Sequence, residues 1–198
     1  MSNPYPTVIS FYTPSWEYAK YAMKLKKNCR RLGLLHHIVE KPDTGNWLEN
    51  TRIKPRFIYE ALQELQRPVL WIDVDGSILR KPDLLKDYPY DFAARPKPKS
   101  HSRIWHVGTM FFNYTEPCLE FLRIWNDRID NSKGSDELNL DILWKQKKDE
   151  LNLRTGELPP PYFEMLKRLE QPPAAGTIVA HRASKCPNKM QMKKRRQI

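Results

Sequence analysis

A run of four apolar residues, Val69 to Ile72, leads directly into Asp73, and Asp75 follows two positions later. A short apolar run of this kind predicts a strand that is buried on both faces. It favours a fold with a covered sheet, in which two carboxylates emerge where a central strand ends. Three interpretations fit: a catalytic pair, a metal-binding pair, or two turn-forming aspartates that cap the strand.

Strand and helix patterns alternate through the first half of the chain, which is the pattern of an α/β fold with a mostly parallel mixed sheet flanked by helices. We interpret residues 1–187 as a single domain and residues 188–198 as a basic tail. The individual predictions are strands at 7–13, 36–41, 69–75, 90–95, 106–114 and 177–181, helices at 15–32, 55–65, 116–130 and 136–149, a loop at 42–51 and an extended segment at 158–163.

The net charge of +11 is concentrated at the C-terminal end, where residues 181–198 hold seven Lys and Arg and no acid. A basic tail suits a polyanion such as nucleic acid or an anionic membrane surface, and a solvated tail fits equally well. Three scattered cysteines indicate a reducing compartment. With no signal peptide and no apolar run long enough to span a bilayer, we expect a cytoplasmic protein, in the host cytoplasm if it is encoded by a phage.

Glycine-rich phosphate-binding motifs of the Rossmann and P-loop types are absent from the sequence. A chain that handles a diphosphate without them needs another source of positive charge, and a metal ion is the obvious one. Residues i and i+2 of a strand project to the same side, so Asp73 and Asp75 could face one cation, and His181 closes the last predicted strand. Carboxylates with one imidazole suit Mn²⁺ or Mg²⁺.

Two enzyme classes use nearly the string Asp-Val-Asp-Gly-Ser. In phosphatases of the haloacid dehalogenase type, Asp73 would attack phosphorus and Asp75 would protonate the leaving group. That fold normally carries the motif on its first strand and needs a second acidic pair after a later apolar strand. Here a strand–helix–strand–helix run comes first, and the nearest pair, Asp136 and Glu137, follows a polar stretch. The phosphatase therefore stays as the alternative.

From about residue 7 to 187, the chain resembles GT-A nucleotide-diphospho-sugar transferases. The resemblance lies in an ordered set of stretches: VISFYT, KPRFIYEAL, VLWIDVDGSIL, WHVGTMFFN, SDELNLDIL and IVAHRASK. It implies transfer of a sugar from a nucleotide-sugar donor, with a divalent metal bound through the Asp-x-Asp motif. By the same resemblance, the donor is expected to be a UDP-sugar. At 198 residues the chain is short for the family, which implies that it lacks an elaborate acceptor subdomain.

The resemblance also implies a role for each matching position. Metal ligands would be Asp73, Asp75 and His181, of which Asp73 would also lie against the ribose. The donor would be bound by Tyr12 and Thr13 beside the base, Lys54 near the phosphates or sugar, Gly108 and Thr109 beneath the sugar, and Ser184 and Lys185 at the diphosphate. The glycine that some relatives carry near the histidine is missing here.

Asp136 and Glu137 are the candidate catalytic carboxylates. If the reaction inverts the anomeric centre, a carboxylate must take the acceptor proton, whereas a retaining reaction needs no such base. Acids in a first helical turn also favour the helix dipole, so a purely structural role fits as well. The sequence leaves this choice open.

The acceptor has two candidates. One is a hydroxylated base in DNA, which is the acceptor of some bacteriophage transferases. The basic loop 95–103 and the tail 189–198 would hold the DNA backbone. The other is a cell-surface glycan or a lipid-linked sugar. A nucleic-acid-binding module without turnover is a further alternative, but it leaves the combination of Asp73, Asp75 and His181 unexplained.

Overall fold

A six-stranded mixed sheet lies at the centre of the protein. The computed structural model describes residues 3–14, 17–166 and 171–182. Its elements are, in chain order, β1 (Thr7–Tyr12), α1 (Tyr18–Leu32), β2 (His36–Glu40), α2 (Trp47–Arg52), α3 (Lys54–Leu65), β3 (Val69–Ile72), β4 (Gly76–Ile78), β5 (Phe92–Pro96), β6 (Trp105–Phe112), α4 (Glu116–Asp130), α5 (Asp136–Lys147), β7 (Thr155–Glu157), β8 (Glu164–Leu166) and β9 (Val179–Arg182), with short 3-10 turns at Asp83–Leu85 and Pro160–Tyr162.

The strand order of the central sheet is β2-β1-β3-β6-β5-β7. Parallel pairs join β1 to β2, β1 to β3 and β5 to β7, whereas β6 runs antiparallel to both of its neighbours. Five of the six strands therefore point one way, and the predicted mostly parallel α/β sheet is confirmed. A smaller sheet, in the order β4-β9-β8, lies beyond the end of β3.

Alternation of side chains along the strands divides the core into two layers. Val69 and Trp71 pack with the apolar faces of α3, α4 and α5, whereas Leu70 and Ile72 pack with α1 and the small sheet. All four residues are buried. The continuous apolar run predicted this two-sided burial, because a strand covered on both faces needs apolar residues at every position.

Helix boundaries follow local chemistry. Gly33, at φ +66°, ends α1 in the left-handed region that glycine tolerates best. Pro55 stands in the first turn of α3, where its missing N–H costs nothing, as predicted.

Other sequence predictions were wrong in detail. Residues 47–51 of the predicted loop belong to α2, the strand predicted to reach Asp75 ends at Ile72, and the predicted extended segment contains a 3-10 turn. The short strands β4, β7 and β8 were not predicted. Each has three residues and is held by partners distant in the chain, a pattern that leaves no local signal.

Asp91 joins three separate parts of the fold just before β5. Its buried carboxylate accepts hydrogen bonds from the Thr115 hydroxyl at 2.9 Å and from the backbone N–H and the guanidinium of Arg154. Burial alone would raise the pKa of Asp91, but the bonds from Arg154 and Thr115 outweigh it and lower the pKa.

We expect Asp91→Asn to reduce the free energy of unfolding at pH 7 by about 1–2 kcal/mol. The expected loss is small for a buried carboxylate because the side chain of its partner Arg154 is largely exposed, so that water screens the ion pair. A carboxylate with a lowered folded-state pKa stabilises the protein above its unfolded pKa of about 4, and this contribution is lost as the pH falls through the folded-state pKa. The deficit of the variant should therefore shrink below about pH 4. Urea unfolding at several pH values measures it. The exposed Glu64→Gln is the control, and an equal deficit at pH 7 and at acid pH would contradict the assignment.

Candidate functional site

A cleft of about 320 Å³ opens where β1 and β3 end. One wall comes from the end of β1 and the start of α1, a second from α2, and a third from the first turn of α5. Its lining is aromatic and acidic: Phe11, Tyr12, Thr13, Tyr18, Trp47, Asn50, Thr51, Lys54, Trp71, Asp73, Val74, Asp75, Val107, Ser135, Asp136 and Glu137. The predicted residues Tyr12, Thr13, Lys54, Asp73, Asp75, Asp136 and Glu137 thus meet in one place.

Lys54 connects two carboxylates at the base of this cleft. Its Nζ lies 3.0 Å from Asp73 Oδ1 and 2.5 Å from Asp136 Oδ2, although the latter contact lacks good hydrogen-bond angles. The same ammonium donates to the backbone carbonyl of Val107 at 3.4 Å and stands 5.3 Å from the centre of the Trp71 ring. Lys54 and Asp136 are both almost fully buried, so this lysine is not a solvated helix-start residue.

Burial and charge shift the pKa values of this trio in different directions. Burial would lower the pKa of Lys54, but Asp136 and Asp73 override it and raise the pKa, so the lysine is charged. Burial raises the pKa of Asp136, and the Lys54 ammonium offsets this only in part. Burial acts in the same sense on Asp73, but there Lys54 and His181 prevail and the pKa is lowered. Asp73 is therefore the firmly ionised carboxylate of the two.

The Asp-x-Asp segment is a tight turn and not part of a strand. The Asp73 N–H donates to the carbonyl of Gly108 at 2.8 Å, and the Gly76 N–H donates back to the carbonyl of Asp73 at 2.7 Å. The Trp71 indole N–H donates to Asp73 Oδ1 at 2.9 Å. A Cβ on Gly76 would stand 2.7 Å from the Ile72 side chain and 2.9 Å from the His181 ring, so the glycine after the motif leaves room for that ring.

His181 lies beside this turn because β9 pairs with β4, placing it directly opposite Gly76. The imidazole is buried, its Nε2 lies 2.7 Å from the Thr109 hydroxyl, and its Nδ1 lies 4.0 Å from Asp75 Oδ1. When Nε2 carries the proton and donates to Thr109, the Nδ1 lone pair faces Asp75. That tautomer leaves one nitrogen free to bind a cation while the other is held in place.

A stack of three rings holds His181 from its other side. The His181 ring packs on Phe163 with centroids 4.5 Å apart, and Phe163 packs on His106 at 4.2 Å. Burial, helped by Lys97 and Arg95, lowers the pKa of His106 to about 4, so His106 is neutral at physiological pH.

Gly108 and Thr109, which were predicted to lie beneath the donor sugar, are placed around His181 in the structure. A Cβ on Gly108 would meet Phe163 at 2.8 Å and the His181 ring at 3.1 Å. Thr109 is fully buried, and its hydroxyl bonds the histidine. Both residues are therefore positioned to orient His181, and the adjacent residue Val107 is the one that reaches the cleft.

The oxygen and nitrogen atoms at this site fit a cation that is held partly by the protein and partly by a substrate. Within residues 3–14, 17–166 and 171–182, no three His, Cys, Asp or Glu side chains converge into a complete metal cage. Asp75 and His181 nevertheless present an oxygen and a nitrogen to the same space, and Asp73 lies two residues from Asp75. Mg²⁺ and similar ions are commonly bound through one or two carboxylates together with substrate phosphates.

Glu137 stands at the rim of the cleft, paired with a lysine of the basic loop. Its carboxylate accepts from Lys97 Nζ, and its side chain is 29% exposed, in contrast to the buried Asp136. Other cations of that loop are also engaged: Arg95 donates to the carbonyls of Pro160 and Phe163, and Arg103 lies 3.7 Å from Asp141. Two of the four Lys and Arg side chains of loop 95–103, Lys97 and Arg103, thus pair with carboxylates of the protein.

The contribution of α2 was missed by the sequence reasoning. Asn46 caps this helix by accepting from the Leu48 N–H at 2.9 Å, and Glu49 follows three residues after the cap, which is a recognisable helix-start signal. At the end of the helix, the Arg52 guanidinium donates to the carbonyls of Ile129, Ser132 and Gly134. Arg52 thereby fixes the loop that leads into Asp136.

Two predicted donor ligands, Ser184 and Lys185, lie outside the described residues, as does the tail 189–198. Among the helices that the structure describes, none is long and apolar enough to cross a membrane.

No protein family model matches the chain, and no curated protein matches it in sequence. Several solved structures share its fold. A glycosyltransferase involved in the glycosylation of the major capsid of PBCV-1 has a TM-score of 0.68 at 15% identity, over 96% of this chain and 100% of that one. The glycosyltransferase GlyE of Streptococcus pneumoniae TIGR4 has a TM-score of 0.60 at 14% identity, and its apo form 0.61 at 13%, each over 91% of this chain.

The chain spans about half of GlyE, 55% of its length, but the whole of the PBCV-1 protein. At these identities the likeness concerns the fold. The protein therefore has the mixed α/β fold of these glycosyltransferases.

Proposed function

We propose that the protein is a metal-dependent glycosyltransferase. It would move a sugar from a nucleoside-diphosphate-sugar donor, for which a UDP-sugar is expected, to an acceptor hydroxyl. The observation that carries the proposal is the convergence of Lys54, Asp73, Asp75 and Asp136 at one cleft, with the buried His181 4.0 Å from Asp75, in a fold that solved glycosyltransferases share. The alternative phosphatase gains no support, because the motif follows β3 inside the sheet and not the first strand.

Aromatic and polar side chains suit the nucleoside end of such a donor. Tyr12 ends β1 and Thr13 follows it, and Tyr18 and Trp47 face the same cleft, offering ring surfaces for a base or a sugar. Asp75 and His181 would hold Mn²⁺ or Mg²⁺ with the donor diphosphate. When bound, the ion would stabilise the negative charge of the departing nucleoside diphosphate as a Lewis acid.

Of the two candidate catalytic carboxylates, Glu137 is the better placed to contact an acceptor. Asp136 is buried and lies 2.5 Å from Lys54, so its role in this proposal is to hold the lysine. Glu137 is partly exposed at the rim and is held by Lys97. If the reaction inverts the anomeric centre, Glu137 is the carboxylate that would take the acceptor proton.

Charge in the cleft favours a neutral acceptor over DNA. The lining contains four carboxylates, Asp73, Asp75, Asp136 and Glu137, against the single ammonium of Lys54. The proposed cation would offset this charge at the donor diphosphate but not at the acceptor end, where the phosphates of a nucleic acid would be repelled. Aromatic rings together with carboxylates suit the apolar faces and hydroxyls of a sugar. We therefore propose a glycan acceptor, and DNA is the competing candidate that rests on the basic tail.

The expected result is that UDP binds in the presence of Mn²⁺ and that its affinity falls at least about 100-fold when excess EDTA removes the metal. Isothermal titration calorimetry with UDP measures this directly. GDP and CDP serve as matched controls for the base. UDP binding that is unchanged in EDTA would remove metal dependence from the proposal, and absent UDP binding together with cleavage of an aryl phosphate would favour the phosphatase.

A further inference from the structure

The outer face of α1 carries a continuous stripe of positive charge. Lys20, Lys24, Lys27 and Arg31 follow one another at helical spacings of four, three and four residues, and Arg30 lies beside them. All five are exposed. At 3.6 residues per turn they occupy about a third of the helix circumference, over a length of about 16 Å.

Little negative charge balances this stripe. Residues 18–32 contain no Asp or Glu, and the nearest acid, Glu17, pairs with Lys20 at 3.3 Å. Cations three or four residues apart repel each other and destabilise a helix slightly. The helix forms nonetheless, because Ala22, Leu25 and Cys29 on its opposite face are buried against the sheet. The stripe is thus tolerated at a cost that an anionic partner would relieve.

An exposed apolar side chain lies within the charged stripe. Met23 is 72% exposed and falls between Arg30 and Lys27 around the helix axis. Leu35, two residues after the end of the helix at Gly33, is 44% exposed. A helix face that combines cations with a flexible apolar side chain suits an anionic bilayer surface, where the charges meet headgroups and the apolar group enters the acyl boundary.

The segment after β4 extends the same charge. Arg31 donates to the carbonyl of Leu79 at 3.0 Å, which brings the exposed Arg80 and Lys81 beside the end of the stripe. Tyr18, at the start of α1, lines the cleft. A surface in contact with α1 would therefore lie next to the cleft entrance.

We propose that the basic face of α1, defined as Lys20, Met23, Lys24, Lys27, Arg30 and Arg31, docks the protein on an anionic membrane surface. The attraction is electrostatic, with Met23 as a shallow apolar anchor, and the chain lies on the bilayer without crossing it. This inference does not depend on the proposed sugar transfer, although it would bring the cleft close to acceptors carried by the membrane.

The test is a co-sedimentation assay of the full chain with vesicles of phosphatidylcholine containing about 30% phosphatidylserine. The variant Lys20→Gln, Lys24→Gln, Lys27→Gln removes three charges, and the variant Lys145→Gln, Lys147→Gln, Lys148→Gln at the far end of α5 removes the same number. A cation near an anionic bilayer contributes about fivefold in affinity, so the first variant should lose about a hundredfold and the second much less. Equal losses would overturn the proposal, because they would show that only net charge matters.

Met23→Gln separates a membrane from a nucleic acid. It should weaken vesicle binding several-fold while leaving binding to a duplex DNA probe unchanged, because only a bilayer offers an apolar interior. If vesicles of pure phosphatidylcholine bind equally well, or if the wild-type chain binds DNA and not the anionic vesicles, the proposal is wrong. UDP titration of each variant keeps the two proposals distinguishable, because the α1 substitutions lie outside the donor site and should leave UDP affinity intact.

Discussion

The Asp75→Asn variant is expected to lose at least about 100-fold in affinity for UDP measured with Mn²⁺, while its free energy of unfolding stays within about 0.5 kcal/mol of wild type. Asp75 lies 4.0 Å from His181 Nδ1, and its side chain is only 19% exposed. An amide keeps the shape of the side chain but removes the anionic oxygen that would bind the cation. Little packing is lost, so the effect falls on binding and not on folding.

Isothermal titration with Mn²⁺, and again with EDTA, separates the explanations for such a loss. Wild type and Asp75→Asn should become alike once the metal is removed, because the difference between them acts through the metal. Asp149→Asn, an exposed carboxylate beyond the other end of α5, is the matched control. A variant that binds UDP as tightly as wild type in Mn²⁺ would exclude Asp75 as a ligand.

Lys54→Met should be the most destabilising single change in the site, at a cost of about 3–5 kcal/mol in the free energy of unfolding. The substitution leaves the buried Asp136 carboxylate without its counter-ion and removes the partner 3.0 Å from Asp73. Methionine fills most of the space that the lysine chain occupied, so the loss reports charge and not a cavity. Urea unfolding at constant pH measures it.

A second substitution tests the cause. Asp136→Asn in the Lys54→Met background should restore at least about 1 kcal/mol, because it removes the charge that was left buried. Burial already raises the pKa of Asp136. A group whose folded-state pKa is raised stabilises the protein when it is protonated, so the deficit of Lys54→Met should shrink as the pH falls below 7. A deficit under about 1 kcal/mol at pH 7 would show that water, and not Lys54, solvates the carboxylate.

The main elements could be predicted from the sequence because their signals are local. The apolar run before Asp73 gave the central strand, and Pro55 and Gly33 marked helix ends. The resemblance to GT-A transferases implied that Lys54, Asp73 and Asp75 serve one donor site, and all three line the cleft. His181 was placed correctly at the end of a late strand, although its pairing opposite Gly76 depends on the whole chain.

What could not be predicted depends on contacts across the chain. Lys97 and Glu137 are 40 positions apart, and nothing in either segment indicates that a loop cation balances a rim carboxylate. Gly108 and Thr109 were assigned to the donor by resemblance. In the structure Gly108 lies against the rings of Phe163 and His181, and the Thr109 hydroxyl contacts His181 Nε2. The strand alternation invoked for Asp73 and Asp75 does not apply, because backbone bonds close the segment into a turn.

The guanidinium of Arg52 has a consequence for how the cleft meets its substrates. It joins the end of α2 to the loop before α5 through three backbone carbonyls, so two facing walls are fastened to each other. Walls tied in this way cannot separate or close independently. The width of the cleft at that end is set before any substrate arrives, and binding there pays little for ordering the protein. Selectivity at this end should therefore come from shape complementarity to a preformed site, and enlarging a substrate by one ring substituent should weaken its binding.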